Sequence, residues 1–341
     1  MMNRTLWFSV FVVLLFFVFV KANATNDSLV FKNGNIMLGE IKSMDRGVLI
    51  FETDYSDKDF NIEWKGIGEI YSDNFFLISV SDGYRYNGSF YSIDTSGTII
   101  INGEDGLTQT RLVDIVFIKS LDQDFWSRVS ASIDLGFNIT KANNLRQFNT
   151  RANLGYLADR WSVDGSVSSL LSAQDEVESI KRTDGNGTYT LFLSKDWFLP
   201  ASLSFLSNTE QKLDMRLSGK LGIGKYVIHT NQSYWGFSTG FSYNNEKYAN
   251  EIETRRSWEA YLGTELNLYD IGDLSLITKV VIYPGLTDTE RFRADFNFDL
   301  KYDLPMDFYI KIGTTLNYDN KPAEGASEAD YVLQTGLGWE L

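Results

Sequence analysis

Few side chains in this 341-residue chain can do chemistry, and their types narrow the options quickly. There is one histidine, His229, and no cysteine. Without cysteine there is no disulfide, thiolate metal site or thiol nucleophile. A serine hydrolase would need His229 within reach of a serine and an orienting acid. A zinc site would need further ligands around it. His229 falls instead in a turn between two alternating segments, so no His-based reaction and no metal is expected. Gly219, Gly222 and Gly224 have the composition of a phosphate loop, but such a loop must lead into a helix. These glycines sit in and beside a strand, where Gly marks a bend or a close approach. Glu52, Asp54, Asp57 and Asp59 cluster in one stretch, the residue type that binds Ca²⁺. The spacing lacks the Gly and the closing Glu of an EF-hand, so the cluster reads as a solvated loop.

The charged residues of the long alternating segments are better candidates. Asp134, Arg151, Asp214, Arg216, Lys220, Glu259, Glu265, Arg291, Arg293, Asp295 and Asp299 are expected to point into one lumen. Two chemistries suit them. They can set the ion or solute preference of a pore, or they can pair with one another and fill it. The short stretch Asn208–Arg216 adds Asn208, Thr209, Glu210 and Gln211. It reads as a tight hairpin in which Glu210 or Asp214 pairs with Arg216, with a gate at the mouth as the rival reading.

The elements that position these residues are strands. From Arg128 onward the sequence alternates with period two. In 128–140, Val129, Ala131, Ile133, Leu135, Phe137 and Ile139 are apolar and the residues between them are not. The pattern recurs near 146–158, 161–171, 186–197, 199–208, 212–223, 233–246, 254–268, 273–283, 290–304, 306–319 and 329–341, which predicts twelve strands. Most are longer than the 5–6 residues usual in soluble sheets. In 290–304, Phe292, Ala294, Phe296, Phe298, Leu300 and Tyr302 share one face. The opposite face is charged. A membrane barrel turns the apolar face to lipid and the charged face to the lumen, and the strand lengths favour that version. Tight turns at 158–160, 198–200, 269–273 and 303–305 are expected on one side, and longer loops at 172–185, 247–253 and 320–328 on the other. Trp126, Tyr156, Trp161, Trp197, Tyr226, Trp235, Tyr269, Tyr302, Phe308, Tyr309 and Trp339 fall near the tight-turn ends, as an interfacial girdle would. The chain closes on alternating Tyr331, Leu333, Thr335, Leu337, Trp339 and Leu341, resembling the signal read by the barrel-assembly machinery.

The first 24 residues read as a signal peptide: Arg4, an apolar run from Leu6 to Val20, and Ala22-Asn23-Ala24 as the cleavage site. Residues 25–122 are expected to form an acidic periplasmic module of two β-roll repeats, about 29–72 and 77–120, of SH3-like or Sm-like form. Each repeat opens on a turn, Asn33-Gly34 or Asp82-Gly83, and has a second glycine, Gly39 or Gly88, five residues on. The chain as a whole carries 45 acidic against 31 basic residues, a net charge of -14. This argues against nucleic acid as a partner. An apolar content of 43% excludes disorder.

Four stretches resemble a known family, the "domain of unknown function 481" proteins. They are SFLSNTEQKLDMRLSGKLGIGKYVIHT (204–230), FSYNNEKY (241–248), VIYPGLTDTERFRADFNFDLKYDLPMDFYIKIGTTLNYDNKP (281–322) and DYVLQTGLGWEL (330–341). The resemblance covers about 127–341 and implies an outer-membrane β-barrel of salt-induced type in a Gram-negative bacterium. It implies no reaction, ligand or cofactor. The expected fold is all-β, a transmembrane barrel of about twelve strands (127–341) preceded by the module. Two functions stand. One is a narrow channel for ions or small solutes tied to salt or osmotic response. The other is an interaction barrel that anchors the module for a periplasmic envelope partner. An outer-membrane enzyme is the remote third.

Overall fold

The computed structural model describes residues 27–103, 106–121, 128–141, 144–175, 177–209, 212–249, 253–322 and 327–339. The expected signal peptide, Trp126, Glu210, Gln211 and Leu341 lie outside these residues.

The N-terminal part is a nine-stranded antiparallel sheet. Its strands are β1 (Asp27–Phe31), β2 (Ile36–Asp45), β3 (Val48–Glu52), β4 (Phe60–Glu63), β5 (Ile67–Val80), β6 (Arg85–Ser92), β7 (Thr98–Gly103), β8 (Gly106–Arg111) and β9 (Ile115–Ser120). Duplication is visible in the hydrogen bonds. Phe31 N–H donates to Asn35 O and Val80 N–H to Tyr84 O, at 2.8 and 3.0 Å. Trp64 N–H donates to Gly47 O and Leu112 N–H to Gly97 O, both at 2.8 Å. Asn33 Oδ1 and Asp82 Oδ1 each accept the amide two residues on, at 3.0 Å. A Cβ on Gly39 or on Gly88 would lie 2.1 Å from a backbone oxygen of the neighbouring strand, so both copies need a glycine there for the same reason. The copies share one core, with Leu29, Phe51, Trp64, Phe76, Phe90 and Ile101 in a single buried cluster. Trp64 Nε1 donates to Leu112 O across the join at 2.9 Å.

The second part is a twelve-stranded antiparallel sheet, each strand beside its sequence neighbours. Its strands are β10 (Val129–Thr140), β11 (Leu145–Leu157), β12 (Trp161–Gln174), β13 (Val177–Phe192), β14 (Trp197–Asn208), β15 (Leu213–His229), β16 (Ser233–Tyr248), β17 (Arg255–Ile271), β18 (Leu274–Pro284), β19 (Phe292–Asp303), β20 (Phe308–Asp319) and β21 (Ala329–Trp339). The sheet curls as a barrel wall whose edge strands are β10 and β21. Among the described residues no ladder joins these two.

Two expectations are corrected. The segment 172–185 is no long loop, because β12 runs to Gln174 and β13 begins at Val177. Its polar sequence, EVESIKRTDGNG, lacks the apolar alternation that marks a strand. The turn expected at Phe198-Leu199-Pro200 lies earlier, at 193–196, and Pro200 sits within β14 opposite Thr190. Proline lacks an N–H but is tolerated near a strand end.

The faces are inverted relative to a soluble sheet. Ile133, Leu135 and Phe137 are 69–75% exposed, whereas Ser242, Asn244, Glu246 and Glu259 on the other face are 0% exposed. The module packs on the tight-turn end of this sheet. Lys195 N–H donates to Gly83 O at 3.0 Å, and Tyr234 Oη donates to Asp45 Oδ1 at 3.0 Å. The Arg46 guanidinium lies 5.1 Å from the Tyr269 ring centre.

Within the module, Asp27 is fully buried and holds three strands together. Its carboxylate accepts the Ile41 N–H at 2.7 Å, the Asn74 amide at 2.9 Å and the Ser72 hydroxyl. Burial nevertheless holds its pKa above the ordinary carboxylate value, outweighing these hydrogen bonds. The native state therefore keeps this proton more tightly than the unfolded chain. The group's contribution to stability is greatest below the ordinary carboxylate pKa and falls as pH rises through the folded value. Asp27→Ala orphans the Ile41 N–H and should cost about 1–3 kcal/mol, read as faster amide exchange in β2. Asp27→Asn should flatten the pH slope, and an unchanged slope would contradict the assignment.

Candidate functional site: the charged lumen

The inner face of β15–β20 carries a layer of ion pairs, and strand phase puts it there. Residues directly opposite in the ladders share a face. Arg216 stands opposite Glu246, and Arg293 opposite Tyr283. Curling then brings non-adjacent strands together. Arg216 Nε donates to Glu246 Oε1 at 2.6 Å. Arg291 Nη1 and Nη2 reach the same carboxylate at 3.0 and 3.3 Å. The Arg291 guanidinium also bonds Asp319, at 3.2 Å from Nε and 2.7 Å from Nη2. Arg291 is 1% exposed and Glu246 0%. Below this quartet, Arg293 grips Glu259 through two bonds of 2.9 and 2.6 Å. Asn244 donates to Glu259 at 2.8 Å. Lys220 donates to the Tyr283 hydroxyl at 2.8 Å, and the Arg293 guanidinium stacks 4.8 Å from that ring's centre.

The layer sits toward the end away from the module, and the connections there are tied to it. Lys321 bridges Asp288 and Glu290 at 2.7 and 2.9 Å. Arg255 Nη1 donates to Lys321 O at 3.0 Å. Among the described residues, every hydrogen-bond partner of the Arg291 guanidinium is a protein carboxylate. The chemistry of the layer is mutual neutralisation.

The eleven candidate residues do not form one group. Arg216, Lys220, Glu259, Arg291 and Arg293 meet in the layer. Glu265 pairs with Lys279 at 3.3 Å nearer the module. Asp134 stands opposite Arg151 and lines a separate cleft with Arg182 and Asp184 on β10–β13. Asp295 and Asp299 lie along β19, and Asp299 is exposed. Asp214 is exposed at a β-bulge between Leu213 and Met215, outside the layer. Asn208 is buried at the end of β14. Glu246, Asp319 and Tyr283 complete the layer and were not among the sequence candidates. Glu246 closes the expected segment 233–246 and shares the phase of the polar Ser242 and Asn244, the signal that could have added it to the candidates.

The glycines have a steric role. A Cβ on Gly222 would collide with the Tyr261 hydroxyl, and one on Gly224 would lie 2.3 Å from the Phe198 ring. Both make room for rings on the inner face, whereas Gly219 borders open space. His229 Nδ1 lies 2.5 Å from Asp196 Oδ1, stacked on Tyr226 at 5.1 Å and edge-on to Tyr234 at 5.0 Å. The expected girdle splits accordingly. Trp235, Tyr302, Phe308 and Trp339 are exposed, while Tyr226 and Tyr269 turn inward toward the module. Glu52, expected in the acidic loop, pairs with Lys42 at 2.5 Å.

A family model described as "Protein of unknown function, DUF481" matches residues 133–340. A search of curated proteins finds no match. Among solved structures, one titled "NanC porin structure in rhombohedral crystal form" is similar at 11% identity and a TM-score of 0.37. That likeness covers 62% of this chain and all of the other.

Removing one member of a buried ion pair leaves its partner desolvated and unpaired, at about 3–5 kcal/mol. Glu246→Ala should therefore lower the urea stability of the folded protein by that order. Glu246→Gln with Arg216→Gln should cost less than the sum of the single changes, because the pair is lost together. Additive costs would show that these residues are not coupled.

Proposed function

The chain belongs to the DUF481 family, and from that premise we propose that it is an outer-membrane β-barrel of the cell envelope, closed at rest, that holds an acidic module at its periplasmic rim. The observation that carries this reading is the inverted sheet with its charge layer: large apolar residues outside, and Arg291 paired with Glu246 and Asp319 inside. An apolar band of this extent suits lipid and is a liability in water. In a bilayer the free edges of β10 and β21 have one partner at hand, each other, because unsatisfied backbone groups are costly in hydrocarbon. The reading thus includes a closed β10–β21 seam in lipid. The tight turns on the module side and the docked module support an orientation with that end in the periplasm. The final strand would be read by the barrel-assembly machinery, and the module's surface would face a periplasmic partner. Residues 25–126 hold 17 acidic against 8 basic side chains, so that partner is basic or cation-bridged. No reaction and no cofactor is assigned.

A second reading, a narrow ion or solute channel linked to salt or osmotic response, draws on the cleft lined by Asp134, Arg151, Arg182 and Asp184. These charges face open space rather than the buried layer. Planar-bilayer recording of the full mature chain, shown folded by gel heat-shift, separates the two. The closed reading expects a silent bilayer. Stable unitary steps would establish the channel instead.

A further inference from the structure

Where the module meets the barrel, the two line a half-open chamber of ≈ 650 Å³ that the preceding reading does not use. Its walls are mainly aromatic and aliphatic: Tyr156, Phe192, Phe198 and Tyr226 from the barrel, and Ile50 and Phe117 from the module. Its volume lies in the range of small-molecule sites. Three carboxylates line it, and each is engaged. Asp45 accepts from Tyr234, Asp196 pairs with His229, and Asp164 accepts from Ser162 at 3.2 Å. Of the cations, Arg128 is held by Asp159 at 2.8 Å.

Arg85 is different. It projects from the start of β6 into the chamber wall, with its guanidinium 4.1 Å from the centre of the Phe192 ring. Its Nε and Nη1 are shielded from solvent and donate no hydrogen bond. Burial lowers its pKa to about 10, outweighing the attraction of the Asp159 carboxylate, which is hydrogen-bonded to Arg128 and not to Arg85. A buried cation with idle donors is costly, and natural proteins rarely leave one without a partner. A fixed guanidinium fork is the group best matched to a carboxylate or a phosphate monoester. Stacking on Phe192 holds the plane of the fork. Lys119, half-buried on the same wall, adds a second positive charge.

We propose that this chamber is a binding site for a small organic anion, a carboxylate or phosphate monoester on an apolar body about one ring in size. Arg85 would receive the anionic head and the aromatic wall would receive the body. The charge layer and the chamber are separate features: one neutralises itself within the barrel, and the other is left with unspent donors at the module interface.

The test uses the full mature chain refolded in detergent and the probe 4-(trifluoromethyl)benzoate, followed by ¹⁹F NMR. Saturable binding to the wild type is expected, and the neutral 4-(trifluoromethyl)benzyl alcohol should bind at least tenfold more weakly. Arg85→Gln should weaken benzoate binding about tenfold or more, the loss expected for a hydrogen bond to a charged group. Arg85→Lys should retain part of the affinity. Phe198→Trp, which narrows the chamber without touching the charge, should also weaken binding and guards against misfolding of the Arg85 variants. Absence of saturable binding up to millimolar probe, equal affinity for the alcohol, or undiminished affinity in folded Arg85→Gln would each overturn the proposal. Since none of these readouts depends on conductance, a conducting barrel would leave the chamber assignment standing.

Discussion

Glu246 has no exposed surface and accepts hydrogen bonds from two arginines, and much of the barrel's architecture follows from that one burial. A carboxylate taken out of water must be paired or it will not stay charged. Pairing it with both Arg216 and Arg291 requires β15, β16 and the approach to β19 to converge, which only a curled sheet allows. Arg291 then needs a second acid, and Asp319 at the end of β20 supplies it. The layer ties strands that no ladder connects. In an inverted sheet, where the apolar face cannot drive closure by hiding from water, such polar contacts are what specify the curl.

The strands of the barrel were legible because period two is a local property. Each apolar face could be read from residues such as Phe292 to Tyr302 without knowledge of any neighbour. What stayed hidden depended on partners. The start of β13 is polar on both faces, so its only evidence is the ladder with β12. Pro200 looks like a turn and is a strand residue because the hairpin closes four residues earlier. Asp214 looked inward by phase, but a β-bulge moves the count by one at that point. Five of the sequence candidates do meet in the layer, since phase alone puts Arg216, Lys220, Glu259, Arg291 and Arg293 on the inner face. Glu246 and Asp319 lie at strand ends, where sequence boundaries are weakest.

The module's duplication was legible from its paired turns and glycines, and equivalent hydrogen bonds repeat through both copies. Its docking was not. The contacts that seat it, Lys195 to Gly83 and Tyr234 to Asp45, join residues far apart in sequence. Arg85 belongs to this class. In the sequence it is one charge in an acidic segment, and only the packed interface reveals that it faces an aromatic wall with donors to spare. The aromatic ladder from Phe198 through Tyr226, His229 and Tyr234 to Tyr269 similarly connects the lumen to the module surface.

The inversion of faces underlies every feature above, and the absence of native cysteine makes it directly measurable. Single cysteines at Ala201, Ser202, Leu203, Ser204 and Phe205 of β14 can carry a nitroxide label in the chain reconstituted into lipid bilayers. Collision rates with oxygen, which partitions into hydrocarbon, and with a water-soluble nickel chelate then report the surroundings of each. Strict alternation is expected, with oxygen access high at 201, 203 and 205 and low at 202 and 204. Uniform access along the strand, or lipid exposure at the serine positions, would contradict it.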